Sequence, residues 1–176
     1  MEPVMHVVIP LVALTVWGVE LRKAVPLSLL ALLPDLDALF LVHRSFSHSL
    51  IVLVGVAGPV WWYAHRVKPR FSRMMWLASL SVASHMVMDL FCGHTPLLWP
   101  VYHKAVWVKT ELMVSLGNSF SLQGLAELEF QPVSFQPFGT LDAPIFTGQG
   151  LILTGILLTP LAVQWLRRWW IARKEF

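Results

Sequence analysis

Asp35, Asp37 and Asp89 lie inside apolar runs that contain no lysine or arginine, and this restricts the chain more than any other feature of its sequence. Asp35 and Asp37 fall in Leu33-Pro34-Asp35-Leu36-Asp37, within the run 24–42, and Asp89 follows His85 by one helical turn in the run 74–92. An aspartate at the centre of a membrane helix costs about 2.5 to 3.5 kcal/mol, so three cost on the order of 9 kcal/mol before any correction for depth. A fold built on this chain has to compensate them by protonation, buried partners, water in a cavity or a bound cation.

The surroundings are those of a membrane protein. The 176 residues are 56% hydrophobic and 13% charged and include nine tryptophans, whereas soluble domains carry about a quarter charged residues. Apolar runs at 4–19, 24–42, 49–64, 74–92 and 150–166 predict an all-α polytopic bundle of about five transmembrane helices, although several runs are short against the ~20 residues a span needs. The stretch 93–149, polar and interrupted by Pro96, Pro100, Pro132, Pro137 and Pro144, is expected to form an irregular extracytoplasmic cap, with 113–130 a surface helix. Residues 1–176 then make one membrane-embedded domain. With no basic residue ahead of it and no small-residue cleavage site, the first run is expected to stay in the mature fold.

The net charge of +3 does not indicate nucleic acid, because the basic residues form short clusters between apolar runs instead of one basic face. Ten of the thirteen Lys and Arg are Arg22 and Lys23, then Arg66, Lys68, Arg70 and Arg73, then Arg167, Arg168, Arg173 and Lys174. If all five runs cross, these clusters share one side, which the positive-inside tendency makes cytoplasmic, and Arg44, Lys104 and Lys109 fall on the other. Trp61, Trp62, Trp76, Trp165, Trp169 and Trp170 sit at run ends as interfacial anchors would. Cys92 is alone, which excludes an intrachain disulfide and a Cys-rich zinc site.

Histidines occur at the same expected depth as the aspartates. His85 and Asp89, at i and i+4, share a helical face, and Pro34 disfavours a straight helix through Asp35 and Asp37. His43 and His48 bracket the turn between the second and third runs, and His6 opens the first. All of these fall in the outer, non-cytoplasmic half. The expected ligand set is therefore His6, Asp35, Asp37, His43, His48, His85 and Asp89, around one or two divalent ions. The mixed His and Asp donors suit zinc, with manganese or iron as other candidates. Ser45, Ser47, Ser49 and Ser84 read as helix caps or as donors to the ligands; His65 belongs to a basic loop, and His94 and His103 to the cap.

Four motifs carry a resemblance: Leu33-Pro34-Asp35-Leu36-Asp37, His43-Arg44-Ser45-Phe46-Ser47-His48-Ser49-Leu50, Ser84-His85-Met86-Val87-Met88-Asp89 and Thr95-Pro96-Leu97-Leu98-Trp99-Pro100. In this order and spacing they resemble the YdjM-like family of membrane-bound metal-dependent hydrolases, described in bacteria as LexA-binding and associated with the inner membrane. The resemblance covers roughly residues 6 to 100. It implies an inner-membrane location and an association with LexA, for which no surface is evident in the residues themselves. More distantly, the Pro-Asp-x-Asp, His-Ser and His-x-x-x-Asp elements are similar to zinc-dependent phospholipase C. That kinship implies phosphoester hydrolysis with Asp35 or Asp37 as ligand or general base and His48, His85 and Asp89 as ligands.

The expected activity is a metal-dependent phosphoesterase acting on a membrane lipid or lipid-linked phosphate, with Asp35, Asp37 and Arg44 as the catalytic residues and Arg44 clamping the phosphate. A metal-dependent lipid amide or ester hydrolase is the nearest alternative. A metal or proton transporter would spread its carboxylates through the membrane depth, and a scaffold would use a metal only to staple helices. Substrate, metal and oligomeric state are not legible in the sequence.

Overall fold

The computed structural model of the chain describes residues 2–116, 120–140 and 147–174; in the last helix the side chains at 167–169 and 171–174 lie outside the description, and with them Trp169 and the third basic cluster. The described residues include five α-helices: α1 (Pro3–Val16), α2 (Leu21–Leu29), α3 (Leu50–Val67), α4 (Pro69–Leu90) and α5 (Gly148–Lys174). Three 3-10 segments, Leu30–Leu32, Pro34–Phe40 and Phe46–His48, join α2 to α3. Two strands, β1 (Lys104–Leu116) and β2 (Phe120–Pro132), pair antiparallel.

The expected five-span, all-α bundle is therefore corrected. Only α3 and α5, over Leu50–Val67 and Gly148–Leu166, are long and apolar enough to cross a membrane among the described residues. Helix α1 has 14 residues, short of the ~20 a span needs. The second run ends as an α-helix at Leu29 and goes on as 3-10 turns, because Pro34 lacks the amide hydrogen that a continuing helix would use and Leu41 closes the segment in the left-handed region at φ 58°. Helix α4 is long enough, but its first turns carry Arg70 and Arg73 and one face is buried in the protein. The charge alternation across five crossings consequently has no structural basis.

The cap is corrected as well. The surface helix expected at 113–130 is instead most of a thirteen-pair antiparallel ladder running from Lys104↔Pro132 to Leu116↔Phe120, with the link 117–119 outside the described residues. The register explains the choice. On one face stand Val106, Val108, Leu112, Val114 and Leu116 beside Phe130, Leu128, Leu122 and Phe120; on the other stand Lys109, Glu111 and Ser115 beside Glu129, Glu127 and Ser121. That two-residue alternation belongs to a strand, not to a helix.

Helix α4 is the centre of the molecule. Its buried residues Leu77, Ser81, Val82, His85, Met86, Met88 and Asp89 recur at helical spacing. Leu77 packs with Leu14, Ala24 and Leu27 of α1 and α2 in a small apolar core. Eight residues further along α4, and eight residues back along α1, come His85 and His6, roughly 12 Å away at 1.5 Å per residue. The core thus fixes two helices whose other ends carry polar side chains. Helices α3 and α4 meet at Lys68 and run antiparallel, so the start of α3 and the end of α4 lie together, opposite the basic cluster Arg66 to Arg73. Helix α5 packs on α1 and starts at the same end, where Glu2 accepts hydrogen bonds from the Thr147 amide (2.8 Å) and the Thr147 hydroxyl. These bonds hold the Glu2 carboxyl below its ordinary value.

Candidate metal centre

At that end, four segments present carboxylates and imidazoles to one another. His6 comes from the first turns of α1, Asp35 and Asp37 from the 3-10 segment after Pro34, His43 and His48 from the following turn, and His85 and Asp89 from the last turns of α4. His6, His48, His85 and Asp89 are fully buried, whereas Asp35 is 22% and His43 41% exposed at the side chain.

The centre of the cluster is a set of four atoms: His48 Nε2, His85 Nε2, Asp35 Oδ1 and Asp89 Oδ2. His48 Nε2 lies 3.2 Å from His85 Nε2, 3.7 Å from Asp35 Oδ1 and 3.5 Å from Asp89 Oδ2. His85 Nε2 lies 3.4 Å from Asp35 Oδ1 and 3.8 Å from Asp89 Oδ2. Donors held about 2.0 to 2.2 Å from a tetrahedral ion are about 3.3 to 3.6 Å apart, so these separations are close to the edges of one coordination sphere. The other Asp89 oxygen, Oδ1, faces His6 Nε2 at 3.4 Å, and the His6 ring stacks on that of His85 with centroids 3.8 Å apart. Two groups, His6 with His85 and Asp89, and Asp35 with His43 and His48, are each suited to hold a metal ion. Charge supports the same conclusion: three carboxylates face one guanidinium, Arg44, leaving two negative charges that a divalent ion would balance, with neutral imidazoles as its further donors.

Asp37 stands apart from the other two aspartates. Its Oδ2 accepts from the Ser45 amide (2.8 Å) and the Ser47 hydroxyl (3.0 Å) and lies 3.3 Å from His48 Nδ1. This is the position of a carboxylate that orients a metal-bound imidazole through its second nitrogen. Ser45 in turn caps the 3-10 turn Phe46–His48 by accepting from the Ser47 amide. The second carboxylate oxygen of Asp37, Oδ1, is buried without a hydrogen bond, 3.7 Å from His43 Nδ1. His6 Nδ1 and His85 Nδ1 are also buried without a hydrogen-bond partner.

The electrostatics follow from this crowding. Burial disfavours the charged forms of Asp35 and Asp37, yet the imidazoles of His48 and His85 around Asp35, and of His43 and His48 around Asp37, hold both carboxyls far below the usual carboxylate range. Burial also opposes a charge on His48, but Asp35 and Asp37 outweigh it and push His48 above its ordinary value. Both 3-10 segments lie outside the two candidate spans. The crowding of carboxylates thus favours positive charge at this site.

Arg44 completes the site. Its Nε donates to Asp89 Oδ2 at 3.3 Å, from a backbone in the left-handed region at φ 57°. Gly93 makes this possible, since a β-carbon there would overlap the Arg44 guanidinium. Gly93 escapes sequence reasoning; its only trace is a glycine four residues beyond the Asp89 of the His-x-x-x-Asp motif. Of the four serines, Ser45 and Ser47 serve Asp37, and Ser49 caps α3 by accepting from the Val52 amide (3.3 Å) and donates to the Trp99 carbonyl. Ser84 bonds within its own helix to the Ser81 carbonyl. His94 lines a small cleft with His43 and Arg44, His103 offers its backbone carbonyl to Val133, and His65 bonds Ser72 at the opposite end of α3.

No match is found among curated proteins, and none among solved structures. A family model, described as YdjM inner membrane protein, matches residues 1–172, far beyond the four motifs and including both strands and most of α5. With two apolar helices that can cross a bilayer, and with buried histidine and aspartate groups suited to a metal, the chain belongs to the YdjM inner membrane protein family.

Proposed function

We propose that this protein is a membrane-embedded metal-dependent hydrolase, a phosphoesterase acting on a lipid or lipid-linked phosphate. The observation that carries the reading is the meeting of His48, His85, Asp35 and Asp89 at 3.2 to 3.8 Å, with Arg44 lying on Asp89. His48, His85, Asp35 and Asp89 would hold one divalent ion, zinc by donor type, and with two ions the donors would divide into His6, His85 and Asp89 for one and Asp35, His43 and His48 for the other. Asp37 is the positioning residue that sets the His48 ring.

A bound divalent ion supplies Lewis acidity and lowers the pKa of water toward about 7. The chain's own residues do the rest. Asp35, the more exposed of the two carboxylates among the ligands, orients the attacking water by accepting a hydrogen bond from it. Arg44 hydrogen-bonds a non-bridging phosphate oxygen and stabilises the charge that grows there. A P–O bond forms to the water oxygen as its proton passes to solvent, the ester P–O bond breaks, and the leaving alkoxide takes a proton from solvent. Helix α3 runs from this site to the basic cluster at Arg66 to Arg73, and by the positive-inside tendency that cluster is cytoplasmic and the site extracytoplasmic.

The test is the purified protein, its metal content measured, incubated with phospholipid and polyprenyl-phosphate substrates and with acyl esters. Release of phosphate or a phosphorylated headgroup, abolished by chelation and by Asp89→Ala, is expected. Free fatty acid as the product would move the activity to acyl bonds. Turnover unchanged in Asp89→Ala would overturn the mechanism, and metal uptake into proteoliposomes without hydrolysis would make the protein a transporter.

A further inference from the structure

We propose that the apolar cavity beside Asp37 receives the hydrocarbon chain of the substrate; this rests on the hydrolase reading and names the part of the molecule that makes its substrate a lipid. The cavity has a volume of about 540 Å³, within the range of small-molecule sites. Its walls are Leu33, Leu36, Phe40, Val42, Phe46 and Phe135. Asp37, Ser45 and Ser47 also line it, the three residues that hold the His48 ring, so the cavity and the metal centre share a wall.

A second cleft, of about 150 Å³, mixes apolar residues such as Pro96 and Val133 with His43, Arg44, His94 and Gln131. Val42 lines the first cavity and His43 and Arg44 the second, and in this short segment Leu41 at φ 58° and Arg44 at φ 57° are held in the left-handed region that non-glycine residues seldom occupy. The Phe138 amide donates to the Leu41 carbonyl at 2.8 Å, which ties the stretch bearing Phe135 onto this segment. The apolar cavity thus reaches the metal centre at Asp37, and the mixed cleft reaches it at His43 and Arg44. An amphiphile with a phosphate between its headgroup and its chain matches that order: headgroup against His94 and Gln131, phosphate at Arg44, chain against Leu36 and Phe40. Phe40 is 81% and Phe46 56% exposed, large apolar areas that an alkyl chain would cover.

The full chain in nanodiscs is given p-nitrophenyl phosphate and alkyl phosphates of four, eight and sixteen carbons. The kcat/KM is expected to rise with chain length. Leu36→Trp, which fills the cavity, should cut the sixteen-carbon substrate about tenfold more than it cuts p-nitrophenyl phosphate. Phe40→Ala, which enlarges the cavity, keeps the test open should the tryptophan variant not fold. Hydrolysis with no dependence on chain length, in the native protein or either variant, would overturn the chain site and leave the hydrolase intact. A second readout needs no turnover: hexadecyl phosphate carrying a diazirine on its chain should label Leu36, Phe40 or Phe46. Labels confined to α3 and α5 would overturn the inference, and pocket labels without hydrolysis would sink the enzyme but not the site.

Discussion

The metal centre and the β1–β2 pair treat their uncharacteristic residues in opposite ways. In the first, carboxylates and imidazoles are drawn inside: His48, His85 and Asp89 are fully buried at the meeting of α1, α3 and α4. In the second, apolar side chains are turned outside, with Leu112, Leu116, Phe120 and Leu128 all 60% exposed or more. The centre is held by mutual neutralisation of charge, each group depending on several others. The strand pair is held mainly by its own ladder, with the bridge between Thr95 and Val106 tying only its base to the rest of the protein, and a two-stranded unit on its own is marginal in water. Removing one member should therefore spread through the centre and stay local in the strands.

The hardest test of that contrast is Asp89→Ala. Asp89 meets His6, His48, His85 and Arg44, so its loss should abolish stoichiometric metal binding and lower turnover at least a hundredfold, measured by elemental analysis and phosphate release. Metal retained at full stoichiometry in the variant would mean that the cluster is not the centre. Asp37→Asn comes next: with His48 still present but less firmly oriented, metal affinity should fall about 10- to 100-fold, read by competition with a chelating dye. An unaltered affinity would remove the positioning role of Asp37. Gly93→Ala should be milder and of another kind, displacing Arg44 and raising KM for a phosphate substrate severalfold at unchanged metal content. A loss of metal in that variant would make Arg44 part of the centre's stability and not only a clamp. Smallest of all is Leu112→Ser on the open face of β1, expected to change stability by no more than about 0.5 kcal/mol and metal content not at all. A collapse of the centre in this variant would erase the distinction between the two regions.

The same contrast decides what could be read from the sequence. Aspartates in apolar runs without basic partners have few possible surroundings, so the segments bearing His6, Asp35, Asp37, His43, His48, His85 and Asp89 stood out, and the structure gathers them. The strands were hidden because Leu112, Met113, Val114 and Leu116 fit a helical face nearly as well as an alternating one; Val106 and Val108, just outside the stretch read as a helix, carried the two-residue period more clearly. Composition alone makes the run 24–42 a crossing, and composition does not register that Pro34 and a left-handed Leu41 divert the backbone into 3-10 turns. Gly93 was invisible for a different reason. Its role is the space it leaves to a side chain 49 positions earlier, which no local pattern records.

The ladder has one further consequence, for the kinds of change this gene can accept. Its two faces are set by parity, since every step of one residue along a strand reverses the side to which a side chain points. Inserting or deleting a single residue between Lys104 and Leu116 would turn the leucines and valines beyond it to the side now held by Lys109 and Glu111, while an in-frame change of two residues would preserve the alternation. Length variation in this hairpin is thus expected to come in even steps, and an odd step in one strand to be matched by an odd step in the other.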